Sequence, residues 1–304
     1  MAFSAKDVAA LRAKTGCGMM DCKKALSQAD GDMDKAIDFL REKGLAAATK
    51  KAGRIAAEGV SYAATNADGT KGVVIEVNAE TDFVAKNAQF HDFVKTCADT
   101  VLASDPADVD ALLQCKAAGS SETVDALLKE IILKIGENIK IRRFQEFTGA
   151  VGAYIHAEGK IGVLANFDTT PEIAAKPEFK EYAKDVCMQI AAITPQYLDE
   201  ASVPADVVAH EKEILKQQVL ESGKPEAIAE KIVVGRLRKF YEEVCLVDQA
   251  FIKDDKMSVK QYTDKVAKEL GGAIKVTGYA RFATGEGLEK RKENFAEEIK
   301  NLVK

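Results

Sequence analysis

Apolar positions recur at helical spacing through the first fifty residues, alternate or run together in two later stretches, and return to helical spacing from 201 to 244. Ser4-Ala5-Lys6-Asp7 has the form of a helix start, with Ser4 as N-cap and an acid three residues on. Val8 and Leu11 mark its buried face up to Thr15-Gly16. Gly18 closes a turn, and a second helix is predicted from about Met20 to Ala29, burying Cys22, Ala25, Leu26 and Ala29. Beyond Asp30-Gly31-Asp32, the residues Met33, Ala36, Ile37 and Leu40 stand at i, i+3, i+4, i+7, a third helix predicted to stop at Gly44. Three short helices with so small a core suit binding better than a catalytic pocket.

Residues 45–58, rich in Ala and Lys, read as a helical or loose connector. The period then changes to two. Val60 to Ala63, a turn at Asp68-Gly69, and Gly72 to Asn78 predict a β-hairpin. A helix follows from Asn87 to Leu102, burying Phe90, Phe93, Val94, Cys97 and Val101, and another runs from about Glu122 to Ile135 and ends at Gly136. Asn138 to Phe144 reads as a strand. The pattern then repeats. Ala153 to His156, a turn at Glu158-Gly159-Lys160, and Gly162 to Asp168 mirror the first hairpin, with Gly162 standing 90 positions after Gly72. Ala85-Lys86 matches Ala175-Lys176 at the same offset, and Phe90 and Phe93 match Phe179 and Tyr182 with a one-residue slip. Two duplicated α/β units with antiparallel strands are therefore expected.

Between hairpin and helix of the first unit lies Thr81-Asp82-Phe83-Val84-Ala85-Lys86-Asn87; the second has Pro171-Glu172-Ile173 where the first has Thr81-Asp82-Phe83. Rigid elements on both sides make such a connection a favoured place for working residues. Phe83 either folds back onto the core or is presented to a partner. From Ala201 to Val244 the chain is helical and charged, broken at Gly223-Lys224-Pro225, with Ile228, Ile232, Leu237, Phe240 and Val244 as an apolar stripe. This predicts a projecting helical hairpin, serving as contact device or spacer. The tail holds a strand (Ile274 to Phe282), a turn at Gly285-Glu286-Gly287 and a helix from about Asn294 to Val303.

Composition narrows the chemistry. The 304 residues suffice for two or three cores, no apolar run approaches a membrane span, and the N-terminus lacks the pattern of a secretion signal. Six scattered cysteines suit reduced thiols and a cytoplasmic setting. The net charge of −5 disfavours nonspecific nucleic-acid binding, although residues 1–54 carry 11 Lys+Arg against 7 Asp+Glu. That small basic module suits RNA, an acidic protein surface or plain solvation. Cys17 and Cys22 have no second Cys/His pair nearby, since the histidines are His91, His156 and His210, so no local zinc site can form. Gly16-Cys17-Gly18 is not a phosphate loop: no strand precedes it and no Gly-Lys-Ser/Thr follows. Of the neighbours Met19 and Met20, only one can enter a helix-packed core, leaving the other as an adaptable contact. An enzyme reading would use Asp82, Lys86 and His91 as an acid–base cluster, but His91 falls between core residues Phe90 and Phe93.

Several segments, in order along nearly the whole chain, resemble the bacterial translation elongation factor Ts family. They are Leu11-Arg12-x-x-Thr15-Gly16-x-Gly18-Met19-Met20-Asp21-Cys22-Lys23-Lys24-Ala25-Leu26, Thr81 to Lys86, Lys134 to Asn138, Gly223-Lys224-Pro225, Lys231-Ile232-x-x-Gly235-Arg236, and Gly285-Glu286-Gly287-x-Glu289-Lys290. The resemblance implies a guanine-nucleotide exchange factor for the GTPase EF-Tu, with no catalytic site or cofactor of its own; Mg²⁺, GDP and GTP belong to the partner. It implies an α+β fold with a module similar to a ubiquitin-associated domain at 1–54, including the connector, and a first α/β subdomain at 55–148. A second subdomain at 149–264 would carry an inserted coiled-coil hairpin at about 201–244, before a C-terminal module at 265–304. Arg12, Met19 and Met20 would contact the partner's GTPase domain. Thr81, Asp82, Phe83 and Val84, with Ile135 beside them, would disturb its nucleotide site, and His156 would reach another of its domains. The alternative is an RNA-binding or structural translation accessory protein without exchange activity.

Overall fold

The computed structural model describes residues 3–223 and 225–290. The predicted terminal helix at 294–303 and Lys224 of the hairpin turn lie outside the described residues.

Helices α1 (Ala5–Thr15), α2 (Met19–Gln28) and α3 (Met33–Lys51) form the N-terminal module. Ser4 and Asp7 make a reciprocal capping box on α1, and Asp32 caps α3 through the N–H groups of Asp34 and Lys35. Leu11, Cys22, Ala25, Leu26, Ala36 and Leu40 fill a core in which Cys17 and Cys22 are packing residues. The expected stop of α3 at Gly44 is corrected, because the helix continues to Lys51. Gly44 is buried where α3 crosses α7 (Val124–Ile135, below), and a Cβ there would sit 3.2 Å from the Lys129 carbonyl oxygen. The glycine permits a helix crossing; it does not end a helix.

Next come β1 (Glu58–Thr65), β2 (Lys71–Ala79), α4 (Asp82–Ala85), α5 (Ala88–Ser104), α6 (Val109–Gln114), α7 and β3 (Lys140–Thr148). The second unit has β4 (Ala150–His156), β5 (Ile161–Asp168), α8 (Pro171–Ala174) and α9 (Pro177–Ile193). The hairpin α10 (Ala205–Glu221) and α11 (Glu226–Val244) follows, then β6 (Ala250–Phe251), β7 (Asp254–Ser258), α12 (Val259–Leu270) and β8 (Lys275–Ala283). This is an α+β fold with small antiparallel sheets.

The sheets run β1-β2-β3 and β4-β5-β8. Strand β8 is thus the third strand of the second sheet, and the expected boundary at 264/265 falls inside α12, whose Val266 packs into that unit's core. Residues 265–283 belong to the second unit, because its sheet needs β8 as its third strand.

Strand alternation sends Val73, Ile75 and Val77 toward α5 and α7, and Val163, Ala165 and Phe167 toward α9 and α12. The opposite faces meet through Ala63, Val74, Val151 and Leu164, giving a helix–sheet–sheet–helix stack. The approach is close: a Cβ on Gly72 would lie 2.5 Å from Leu164 Cδ1, and one on Gly162 would lie 2.9 Å from the Ser61 carbonyl oxygen. Backbone stands against Gly162, which requires glycine there, whereas a Cβ at position 72 would displace the Leu164 side chain. Each third strand also carries a bulge, at Arg142 opposite Glu76/Val77 and at Thr277 opposite Asn166/Phe167, so the two interruptions again fall 90 positions apart along the middle strands.

Glu76, fully buried on the inner face, accepts from Arg142 Nη1 (3.0 Å), Arg143 Nε (2.7 Å), Asn78 Nδ2 (3.1 Å) and the Gly285 N–H (2.8 Å). Burial alone would raise its carboxyl, but these four donors outweigh burial and hold it below its ordinary value. The network ties the Gly285-Glu286-Gly287 turn to the first sheet.

In the helical hairpin, Leu215, Val219, Ala229, Val233 and Leu237 form the seam. Ile228, expected in that stripe, faces outward, and Ala229 and Val233 take the inner positions. The difference is one of phase: Ala229, Val233 and Leu237 keep four-residue spacing, and Ile228 stands one position ahead of that row.

Candidate functional site

Thr81 caps α4, its hydroxyl accepting the Val84 N–H. One helical turn then sends neighbouring side chains to opposite sides. Val84 and Ala85 are buried against the first core, whereas Phe83 is 81% exposed, the most exposed large apolar residue among the described residues. Of the two readings open for Phe83, folding back onto the core is excluded by this exposure. Val84, expected at the contact surface, is corrected to an inward anchor: α4 is short, and its attachment to the core needs an apolar residue pointing in. Asp82 stands half-exposed beside Phe83, paired with Lys86 Nζ at 3.1 Å.

The tip is braced from the C-terminal end of α7. Gly136 takes the left-handed C-cap conformation (φ 87°), so the chain turns sharply and directs Glu137 back toward the β2–α4 connection. The Glu137 carboxylate accepts from the Glu80 N–H (3.1 Å), the Thr81 N–H (3.0 Å) and the Thr81 hydroxyl (2.7 Å). In return Glu80 Oε1 accepts the Asn138 N–H (2.6 Å) and Arg54 Nη1 (3.4 Å), and Asn138 Nδ2 donates to the Arg54 carbonyl (2.8 Å). Ile135 is half-buried against the first core, one residue before Gly136. Lys51 closes the cluster from α3; burial and then the Arg54 charge lower its ammonium below the ordinary value, against the pull of Glu80 and Glu137.

The N-terminal contact candidates approach the same helix end. A Cβ on Gly16 would lie 3.1 Å from Lys134 Cε, so the α1–α2 turn rests on the residue next to Ile135. Arg12 is exposed on α1. Met19 and Met20, at the start of α2, are 44% and 72% exposed. Neither enters the core, which corrects the expectation that one of them would: Leu11, Cys22 and Leu26 already fill it. His156 is elsewhere. It is exposed at the end of β4 in the second sheet, its Nδ1 3.2 Å from the Tyr154 hydroxyl.

A groove of about 780 Å³ runs between α3 and α7, floored by Ile37, Leu40, Leu127 and Leu133. The Asp82–Phe83 tip stands outside it, as a braced protrusion. Among the described residues no group of three or more His, Cys, Asp or Glu can hold a metal ion, and none of the helices is long and apolar enough to cross a membrane. His91 sits on α5, edge-on to Phe90. The arrangement can insert an apolar wedge and a carboxylate into a partner.

The second unit carries no such tip. Thr170 caps α8 as Thr81 caps α4, only 89 positions away, so the one-residue slip comes before the loop. By this register Phe83 corresponds to exposed Glu172, and buried Ile173 to Val84. The expected pairing of Phe83 with Ile173 is corrected accordingly. Glu137 and Glu80 were missed by sequence reasoning. For Glu137 the sequence signals were an acid directly after a C-capping glycine and its place in the Lys134 to Asn138 segment.

Comparison with known proteins gives a consistent result. The family model described as Elongation factor TS matches residues 80–286. Elongation factor Ts of Trichlorobacter lovleyi is 50% identical over 305 residues, covering 98% of each chain. That of Clostridium perfringens is 49% identical over 303 residues, covering 99% of each.

Proposed function

The chain belongs to the elongation factor Ts family, and from that premise we propose that it is a guanine-nucleotide exchange factor that binds EF-Tu·GDP and promotes GDP release, so that GTP can rebind during translation elongation. It acts in the cytoplasm and has no catalytic site or cofactor of its own; the nucleotide and Mg²⁺ are the partner's. The observation that carries the reading is Phe83, exposed on a turn that Val84 anchors from below and Glu137 braces from the side.

GDP is released when the factor binds EF-Tu more tightly in the state whose nucleotide site is distorted. A rigid Phe83 supplies that preference by filling an apolar pocket open only in the distorted state. Asp82 disturbs the polar contacts that order the Mg²⁺ side. By linkage, GDP weakens the factor as much as the factor weakens GDP, so binding energy must come from elsewhere. Arg12, Met19 and Met20 supply part of it, from a three-helix module of the ubiquitin-associated type. His156 supplies a second contact from the other unit, and the hairpin is the family's coiled-coil arm. What supports a joint action of the Asp82–Phe83 tip and the N-terminal module is their shared attachment to the C-terminal end of α7.

The test is release of a fluorescent GDP analogue from EF-Tu. Substoichiometric amounts of this protein are expected to accelerate release catalytically. Release unchanged at any concentration refutes the proposal.

A further inference from the structure

We infer that Glu137 is a positioning residue for exchange: its carboxylate sets the direction in which Phe83 is presented, and so the rate of GDP release, while making no contact with the partner. The inference rests on the exchange reading above. Helix α4 has only four residues, too few to be stable alone. Two things fix it. Val84 and Ala85 hold its inner side, which leaves rotation about the point of attachment open. Glu137 removes that freedom by gathering three donors from two consecutive residues, the N–H groups of Glu80 and Thr81 and the Thr81 hydroxyl, within 3.1 Å. The same hydroxyl accepts the Val84 N–H in the first turn of α4, so the clasp is joined to the helix itself as well as to its start. Glu80 returns the contact to Asn138, making the two loops mutual caps. A plain turn stabiliser would need one of these bonds. The full set orients a wedge.

The chemistry distinguishes two substitutions. In Glu137→Gln the amide oxygen can take the Oε2 position and accept both N–H groups, while its NH₂ donates to the Thr81 hydroxyl, which has a spare lone pair. The clasp survives in neutral form. Glu137→Ala leaves all three donors without a protein acceptor. With EF-Tu loaded with a fluorescent GDP analogue, release at saturating factor is expected to slow about tenfold for Glu137→Ala and to stay within about threefold of wild type for Glu137→Gln, the difference expected of charge-assisted bonds lost or replaced. Affinity for nucleotide-free EF-Tu is expected to change less than the release rate.

The deciding readout is a double-mutant cycle with Phe83→Ala. If Glu137 works through Phe83, Glu137→Ala adds nothing in the Phe83→Ala background. Full additivity overturns the inference, as does a Glu137→Gln variant as slow as Glu137→Ala. Amide exchange of the free variants guards against misfolding: Glu137→Ala is expected to speed exchange at Glu80, Thr81 and Val84 and leave α5 protected, and loss of protection throughout the first unit also overturns it. Wild-type protein that fails to accelerate release removes the exchange reading itself; wild-type acceleration with an additive cycle removes only the role of Glu137.

Discussion

Phe83→Ala separates what a residue does for the fold from what it does for the partner. In the free protein the ring is 81% exposed, so little apolar burial is lost on truncation. The fold is expected to keep its stability within about 0.5 kcal/mol, as for surface substitutions generally. Against the partner the account reverses. Burying a phenyl side chain fully is worth about 2–3 kcal/mol. If that energy is gained only in the distorted state, its loss appears almost wholly in the release step, slowing it roughly 30- to 150-fold at 1.4 kcal/mol per tenfold. Stopped-flow release of a fluorescent GDP analogue at saturating factor measures the step, and titration onto nucleotide-free EF-Tu measures the affinity. Release unchanged at saturation would refute the wedge. An equal loss in affinity for the GDP-bound and nucleotide-free forms would make Phe83 an ordinary contact. A large fall in thermal stability would mean that the ring packs at home.

Other consequences concern the scaffold behind the tip. Glu76→Gln leaves Arg142 and Arg143 facing a neutral group between the sheets and is expected to cost about 3 kcal/mol in urea unfolding at pH 7. Because the folded Glu76 pKa is depressed, its contribution is present above the unfolded carboxylate value and lost as pH falls through the folded one; the variant should lose that acid-side slope. Glu146 is the opposite case: burial, then the hydrogen bond and the charge of Asp105, raise its carboxyl to about 7, against the pull of Lys71. Its stabilising effect is therefore present below the unfolded value and lost as pH rises toward 7, so Glu146→Gln should raise the melting temperature at pH 8 more than at pH 5, and equal shifts would refute the assignment. Gly44→Leu forces a side chain against the Lys129 carbonyl and should cost about 1–3 kcal/mol, with earlier proteolytic release of the N-terminal module as the specific sign.

Much of the fold was legible because its signals are periodic or capped. The hairpins, α5, α9 and the duplication follow from alternation and from paired glycines, and Gly72 and Gly162 proved to be the points where the two sheets touch. Gly44 was misread because a glycine near the end of a periodic stretch looks the same whether it ends a helix or lets another helix cross. The hairpin β6–β7 and helix α12 carried no expectation, although Ser258 and Gln261 form a capping box there and Val259, Tyr262 and Val266 keep helical spacing. That signal was present in the residues.

The exposed tip was legible in place and not in orientation. Four residues are too few to establish a period, so nothing local says that Phe83 points out and Val84 in. Which way the turn faces is decided by the Thr81 cap and by Glu137, which lies 56 residues further along the chain. The second unit makes the same point in reverse. It keeps the cap at Thr170 and the anchor at Ile173, but it reaches them one residue sooner and presents Glu172. The missing position before the cap leaves the scaffold intact, and the replacement of Phe by Glu at the displayed position changes the chemistry of the turn. Duplication therefore preserved the cap and the anchor, and the two copies diverged in the side chain displayed between them.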